Sequence, residues 1–126
     1  MQLRDAIPGI FFPDHWGCFG GAVDVGENPE AALRRELKEE LEFEPDAVQY
    51  FSRLDLDFTP LGYFKVFRIY FQVRVAESAL TNFVLHEGTA VKAFHGQDLL
   101  SNHTVTPYDA FLVWMHLCRA QFTGAS

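Results

Sequence analysis

The chain has 126 residues, 10 Lys and Arg against 17 Asp and Glu, a formal net charge of −7 and 48% hydrophobic residues. That size fits a single domain spanning 1–126 with a real core, and the acidic balance argues against a general nucleic-acid binder, which needs a basic face. No apolar run approaches the roughly 20 residues of a membrane span, and Cys18 and Cys118 are too few for a disulfide scaffold and lack metal-ligand spacing. With no basic-then-apolar leader at Met1-Gln2-Leu3-Arg4-Asp5, the expectation is a cytoplasmic protein with reduced thiols.

In chain order, Leu3 to Asp5 reads as the tail of a strand, and Ile7-Pro8-Gly9 and Pro13-Asp14-His15 read as turns. Trp16 to Val25 is apolar and Gly-rich, which predicts short extended pieces around a tight bend. Asn28-Pro29 predicts a helix N-cap and first helical position. The stretch Pro29 to Leu41, rich in Ala, Leu, Glu and Arg, predicts the helix itself. Leu54 to Phe58 alternates apolar and polar, the period of a half-buried strand. Tyr63 to Val75 predicts a long strand with Phe67, Ile69, Phe71, Val73 and Val75 on its apolar side. Val84-Leu85 and Val91 to Phe94 are shorter strand candidates. Thr106-Pro107 starts a second helix, with Asp109 placed to answer as in a capping box and Tyr108, Phe111, Leu112, Met115 and Phe122 at helical spacing. Strands flanked by two helices predict an α/β (α+β) sandwich.

The chemistry concentrates between Gly21 and Phe43. Glu36, Glu39 and Glu40 stand at i, i+3 and i+4, which puts three carboxylates on one helix face. Leu33, Leu37 and Leu41 form a neighbouring apolar stripe. A Glu-rich face is ordinarily solvated surface, and Arg34, Arg35 and Lys38 are at hand to neutralise it. Clustered carboxylates are equally the hard oxygen ligands that suit Mg²⁺ or Mn²⁺, and Mg²⁺ completes its shell with water and substrate phosphates.

The wider spacing favours the second alternative. Gly21, five residues, Glu27, seven residues, then Arg35-Glu36-Leu37-Lys38-Glu39-Glu40-Leu41 and apolar Phe43 resembles the Nudix box, G-x5-E-x7-R-E-U-x-E-E-x-G-U, where U is apolar. From average residue usage, those six polar or Gly matches have chance odds on the order of 10⁻⁷ per register. Arg4-Asp5, Pro8-Gly9, Pro13, Trp16-Gly17 and Phe19-Gly20 resemble the run that leads into the box, and the likeness extends more loosely to the C-terminal helix. It implies a Nudix fold, a mixed β-sheet packed between helices. It also implies a divalent-metal-dependent hydrolase that cleaves a nucleoside diphosphate linked to another moiety. By that resemblance Glu36, Glu39 and Glu40 are the catalytic and metal-binding carboxylates, with Glu36 a candidate base. Gly21 offers its backbone carbonyl to Mg²⁺ or Mn²⁺, and Glu27 and Arg35 form a structural ion pair. Glu87 is the candidate carboxylate beyond the box, with Glu77 as the weaker choice, and Arg4 is a candidate substrate-phosphate group.

The chain departs from the pattern twice. Glu42 stands where the family has Gly, at a helix exit where a left-handed residue without the freedom of Gly costs roughly 1–2 kcal/mol. The apolar strand that usually precedes the segment matching Gln2-Leu3-Arg4 is missing. This implies a truncated first strand or a sheet edge open to another chain, hence a possible homodimer. The expected partner is a small nucleotide: an oxidised nucleoside triphosphate, a nucleotide sugar, ADP-ribose or a dinucleoside polyphosphate. The alternative is a non-catalytic nucleotide-binding or regulatory module on the same fold.

Overall fold

The computed structural model describes residues 1–5, 12–86, 88 and 90–123, the last two as backbone only. The turn expected at Ile7-Pro8-Gly9 and the candidate ligand Glu87 lie outside the described residues, as does the side chain of Phe122. Two compact units result, one formed by Gly20–Val84 and the other by Met1–Phe19 with Leu85–Ser126.

In the Gly20–Val84 unit, helix α1 spans Pro29–Leu41 as its composition predicts. Asn28 keeps an extended backbone and its side chain accepts the Ala31 N–H at 2.8 Å, while Pro29 occupies a position whose N–H has no helical partner. Ala32, Leu37 and Leu41 are buried, the last two stacked one turn apart. The helix ends as the family pattern implies, but without the glycine. Glu42 adopts φ 53° and ψ 39°, the left-handed region. Its N–H donates to Lys38 O at 3.0 Å and the next, from Phe43, to Leu37 O at 3.3 Å. This closure satisfies the last carbonyls whatever residue makes it.

Strands β3 (Val48–Asp57) and β4 (Lys65–Val73) form an antiparallel two-stranded sheet. β3 starts six residues before the alternating stretch that announces it and stops short of Phe58. There the Asp57 carboxylate turns the chain by accepting the Thr59 N–H at 2.9 Å and hydroxyl at 2.6 Å. Cross-strand partners share a face, and the apolar side of β4 is covered only in part, with Ile69, Phe71 and Val73 half-buried. Leu54 and Val66 are buried, whereas Phe67 on the odd, more apolar side is 60% exposed. The cause lies on β3, which sets Asp55 opposite Phe67 and Arg53 opposite Ile69; burying that face would desolvate two charges. Val84-Leu85 forms no strand; Val84 instead donates one N–H to Leu41 O at 3.2 Å.

In the other unit, β1 (Gln2–Leu3) is the middle strand of a three-stranded antiparallel sheet, between β2 (Trp16–Gly17) and β5 (Ala90–Val91). β5 is shorter than expected because Phe94 leaves the ladder and packs its ring against Trp16 at 4.8 Å and His103 at 4.6 Å. Helices α3 (Gly96–Asn102) and α4 (Pro107–Leu117) follow. A Cβ on Gly96 would come within 2.8 Å of Leu117, so the missing side chain lets the two helices close on each other. The capping box at α4 is altered. Thr106 spends its N–H on Trp16 O, and Asp109 accepts the Thr106 hydroxyl at 2.6 Å and the Cys18 N–H at 3.1 Å instead. Tyr108 and Leu112 are buried as the spacing predicts, but Phe111 is exposed. The chain breaks at Cys118 before a separate short helix, α5 (Arg119–Thr123).

Glu42 is a non-Gly residue held in the left-handed region at a helix exit, so Glu42→Gly should stabilise the chain by about 1 kcal/mol. A urea or thermal unfolding midpoint that does not rise would contradict this.

Candidate functional site

The loop that enters α1 is built as a turn. Glu27 N–H donates to Asp24 O at 3.0 Å, and Gly26 between them has φ 80°, which favours glycine. The Glu27 carboxylate folds back to accept the Asp24 N–H at 3.0 Å. Its two oxygens then take a fork from Arg35, Nε to Oε2 at 2.9 Å and Nη2 to Oε1 at 3.1 Å. Two parallel bonds fix direction as well as distance. The predicted Glu27–Arg35 pair therefore exists, and it ties the loop to the second turn of the helix. Nη2 also donates to Ala22 O at 2.9 Å, and Asp24 adds a carboxylate 3.4 Å away.

The same guanidinium faces the helix carboxylates. Its Nη1 donates to Glu36 Oε1 at 2.9 Å and to Glu39 Oε2 at 3.2 Å. Glu36 is nearly covered, its side chain 15% exposed, while Glu39 is 58% exposed. Glu40, one position on, is buried at 3%. Gly21 lies directly against Glu36: a Cβ built there would come within 2.3 Å of Oε1 and 2.7 Å of Oε2. Only glycine admits this approach of carboxylate to backbone.

Of the residues expected at a site, Gly21, Glu27, Arg35, Glu36 and Glu39 meet around one positive centre, and Glu40 stands buried on the same helix. Arg4, at the end of β1, belongs to the other unit. Glu77, the weaker alternative to Glu87, starts the short helix α2 (Glu77–Leu80). Among the described residues no three His, Cys, Asp or Glu side chains are gathered as a ready metal cage; the carboxylates converge on Arg35 instead. Sequence reasoning missed Asp24, which both forms the turn and flanks Arg35. The Asp-Val-Gly-Glu run, a turn signature four residues long, is the signal that could have found it.

A family model described as NUDIX domain matches residues 3–113. The chain belongs to the NUDIX domain family. Among curated proteins it is similar to the nucleoside triphosphatase NudI of Escherichia coli (strain K12 / DH10B) and that of Salmonella paratyphi B (strain ATCC BAA-1250 / SPB7). Each is 57% identical over 30 residues, 24% of this chain, and the match spans only 21% of the relatives' length. Among solved structures, the crystal structure of DR0079 from Deinococcus radiodurans superposes with a TM-score of 0.67 at 21% identity. It covers 90% of this chain and 70% of that one, so the NUDIX chain shares its fold. The α+β class holds, with antiparallel ladders and a parallel bridge between Trp16 and Val105. No helix is long and apolar enough to cross a membrane among the described residues.

The fork holds the Glu27 carboxyl below its ordinary value of 4.5, chiefly through the Arg35 hydrogen bond and then through the Asp24 N–H. The same pairing, led by Glu27, raises the Arg35 guanidinium still further above neutrality. A carboxyl lowered in the folded state stabilises above its unfolded value and ceases to do so as the pH falls through the lower, folded one. Wild type should therefore be more stable than Glu27→Gln at neutral pH, and the difference should shrink below pH 4.5. Unfolding curves with a gap unchanged down to full protonation would contradict this.

Proposed function

We propose that the chain is a divalent-metal-dependent pyrophosphohydrolase that cleaves a nucleoside diphosphate linked to another moiety. A nucleoside triphosphate is the first choice, because the relatives it matches carry the name nucleoside triphosphatase. Nucleotide sugars and ADP-ribose are the next substrates to try. The observation that carries the proposal is the convergence of Glu36 and Glu39 on one positive centre beside the bare backbone of Gly21.

The donors fit Mg²⁺ or Mn²⁺. They are hard carboxylate oxygens, two of them already share a cation, and Gly21 leaves its backbone open against Glu36. Glu36, Glu39 and Glu40, with the Gly21 carbonyl, would hold the ion. Its chemistry there is that of a Lewis acid that offsets charge on the pyrophosphate oxygens.

The chain's own groups supply the rest. Glu36 Oε1 accepts the Arg35 Nη1 bond at 2.9 Å, which orients the carboxyl that would serve as the base toward attacking water. Glu27 and Arg35 fix the angle between loop and helix, which sets where the Gly21 carbonyl can point. Arg4 as a phosphate-binding group and Glu87 as a metal ligand are carried by the family pattern alone. A cytoplasmic setting is part of this reading, since two cysteines, Cys18 and Cys118, are too few for a disulfide scaffold.

A panel of nucleoside triphosphates, nucleotide sugars and ADP-ribose with Mg²⁺ tests the proposal. Glu39→Gln and Glu40→Gln should each lower turnover roughly tenfold or more, and excess chelator should abolish it. Unchanged turnover in both variants, or full activity in chelator, would refute it; tight nucleotide binding without turnover would identify a regulatory module instead.

A further inference from the structure

The Arg35 guanidinium has five N–H groups, and five acceptors meet them: Glu27 Oε2 on Nε, Ala22 O and Glu27 Oε1 on Nη2, and Glu36 Oε1 and Glu39 Oε2 on Nη1. The bonds divide by direction. Nε and Nη2 hold the loop, and Nη1 alone holds the two helix carboxylates. Nη1 lies 2.9 and 3.2 Å from Glu36 Oε1 and Glu39 Oε2, and an ion that took those same two oxygens as ligands would need the gap between them. A Mg²⁺ ion sits about 2.1 Å from its ligands, so the two cations cannot share that gap.

We infer that Arg35 is an internal counterion for Glu36 and Glu39 that gives up its Nη1 bonds when a divalent cation binds, while its Nε–Nη2 fork stays on Glu27. This rests on the metal-dependent reading above and adds regulation to it. Glu27 then has a second task. It retains the displaced arginine beside the site, so that metal occupancy and the placement of loop 22–27 are linked. Because linkage is reciprocal, whatever holds Arg35 on the loop favours the ion, and whatever returns Nη1 to the helix opposes it. A purely structural Arg35 would behave in the opposite way: its removal would leave Glu36 and Glu39 disordered and weaken metal binding.

The experiment is a Mg²⁺ titration of the wild-type chain without substrate, followed by NMR of the side-chain carboxyls and of the Arg35 guanidinium nitrogens. Glu36 and Glu39 carboxyl signals and Arg35 Nη1 should shift together, with Nε nearly unmoved. In parallel, Mn²⁺ affinity measured by electron paramagnetic resonance should be about fivefold tighter for the Glu27→Gln/Arg35→Gln double variant than for Glu27→Gln alone, a comparison in which the charged fork is absent from both chains. Carboxyls that respond while Nη1 does not would overturn the inference and leave the metal site standing. A double variant that binds Mn²⁺ no more tightly than Glu27→Gln would do the same. If the variant does not fold, the wild-type titration decides alone. Carboxyls silent at every Mg²⁺ concentration would overturn the inference and the metal-dependent function together.

Discussion

The bidentate grip of Arg35 on Glu27 is the interaction on which the rest of the Gly20–Val84 unit's chemistry depends. A loop that enters a helix has many accessible paths, and ordering it costs about 1–2 kcal/mol of backbone entropy per residue. Here a single side chain, rooted two turns into α1, reaches back to a carboxylate, a backbone carbonyl and Asp24. The loop is thereby tied to a rigid element, and Gly21 comes to rest against Glu36. Without the fork, the carboxylates of α1 would still share a face, but the loop backbone would have no fixed place beside them.

Legibility from the sequence followed the range of the forces involved. The helix Pro29–Leu41 was readable to the residue because its signals are local: an Asn cap, a Pro at the start, and good helix formers between. The Glu27–Arg35 pair was readable from motif spacing. The sheets were harder. A two-residue strand such as Ala90–Val91 has too few side chains to show a period, and Phe94 left the ladder for ring contacts that depend on Trp16 and His103, far away in the chain. The alternation along β4 was readable, but the exposure of Phe67 was not, because the residues opposite that stretch, Arg53 and Asp55, lie on the partner strand. Asp109 shows the same limit: it was expected to cap backbone, but the Thr106 N–H was already committed to Trp16.

The candidate site was legible as a list and not as an arrangement. Spacing placed Glu36, Glu39 and Glu40 on one face, yet the structure gives them three environments: covered and paired, exposed and paired, and buried. A helical wheel cannot separate these, since burial depends on what packs against each turn. Family spacing fixed the identity of Arg35 but not its five-way sharing, which emerges only when loop and helix are seen together. Glu42 is the instructive departure. The backbone keeps the left-handed exit although the residue that relaxes it is absent, so the closure onto Leu37 and Lys38 outweighs the strain.

The outward side of the β3–β4 ribbon has a bearing on how this protein behaves at high concentration. Phe67 and Tyr50 stand in water there beside Arg53 and Asp55, so separate molecules are kept apart chiefly by their shared negative charge. Acidification removes that repulsion while leaving the aromatic rings where they are, and the first sign of mild acid should be colloidal clouding, ahead of any loss of the fold.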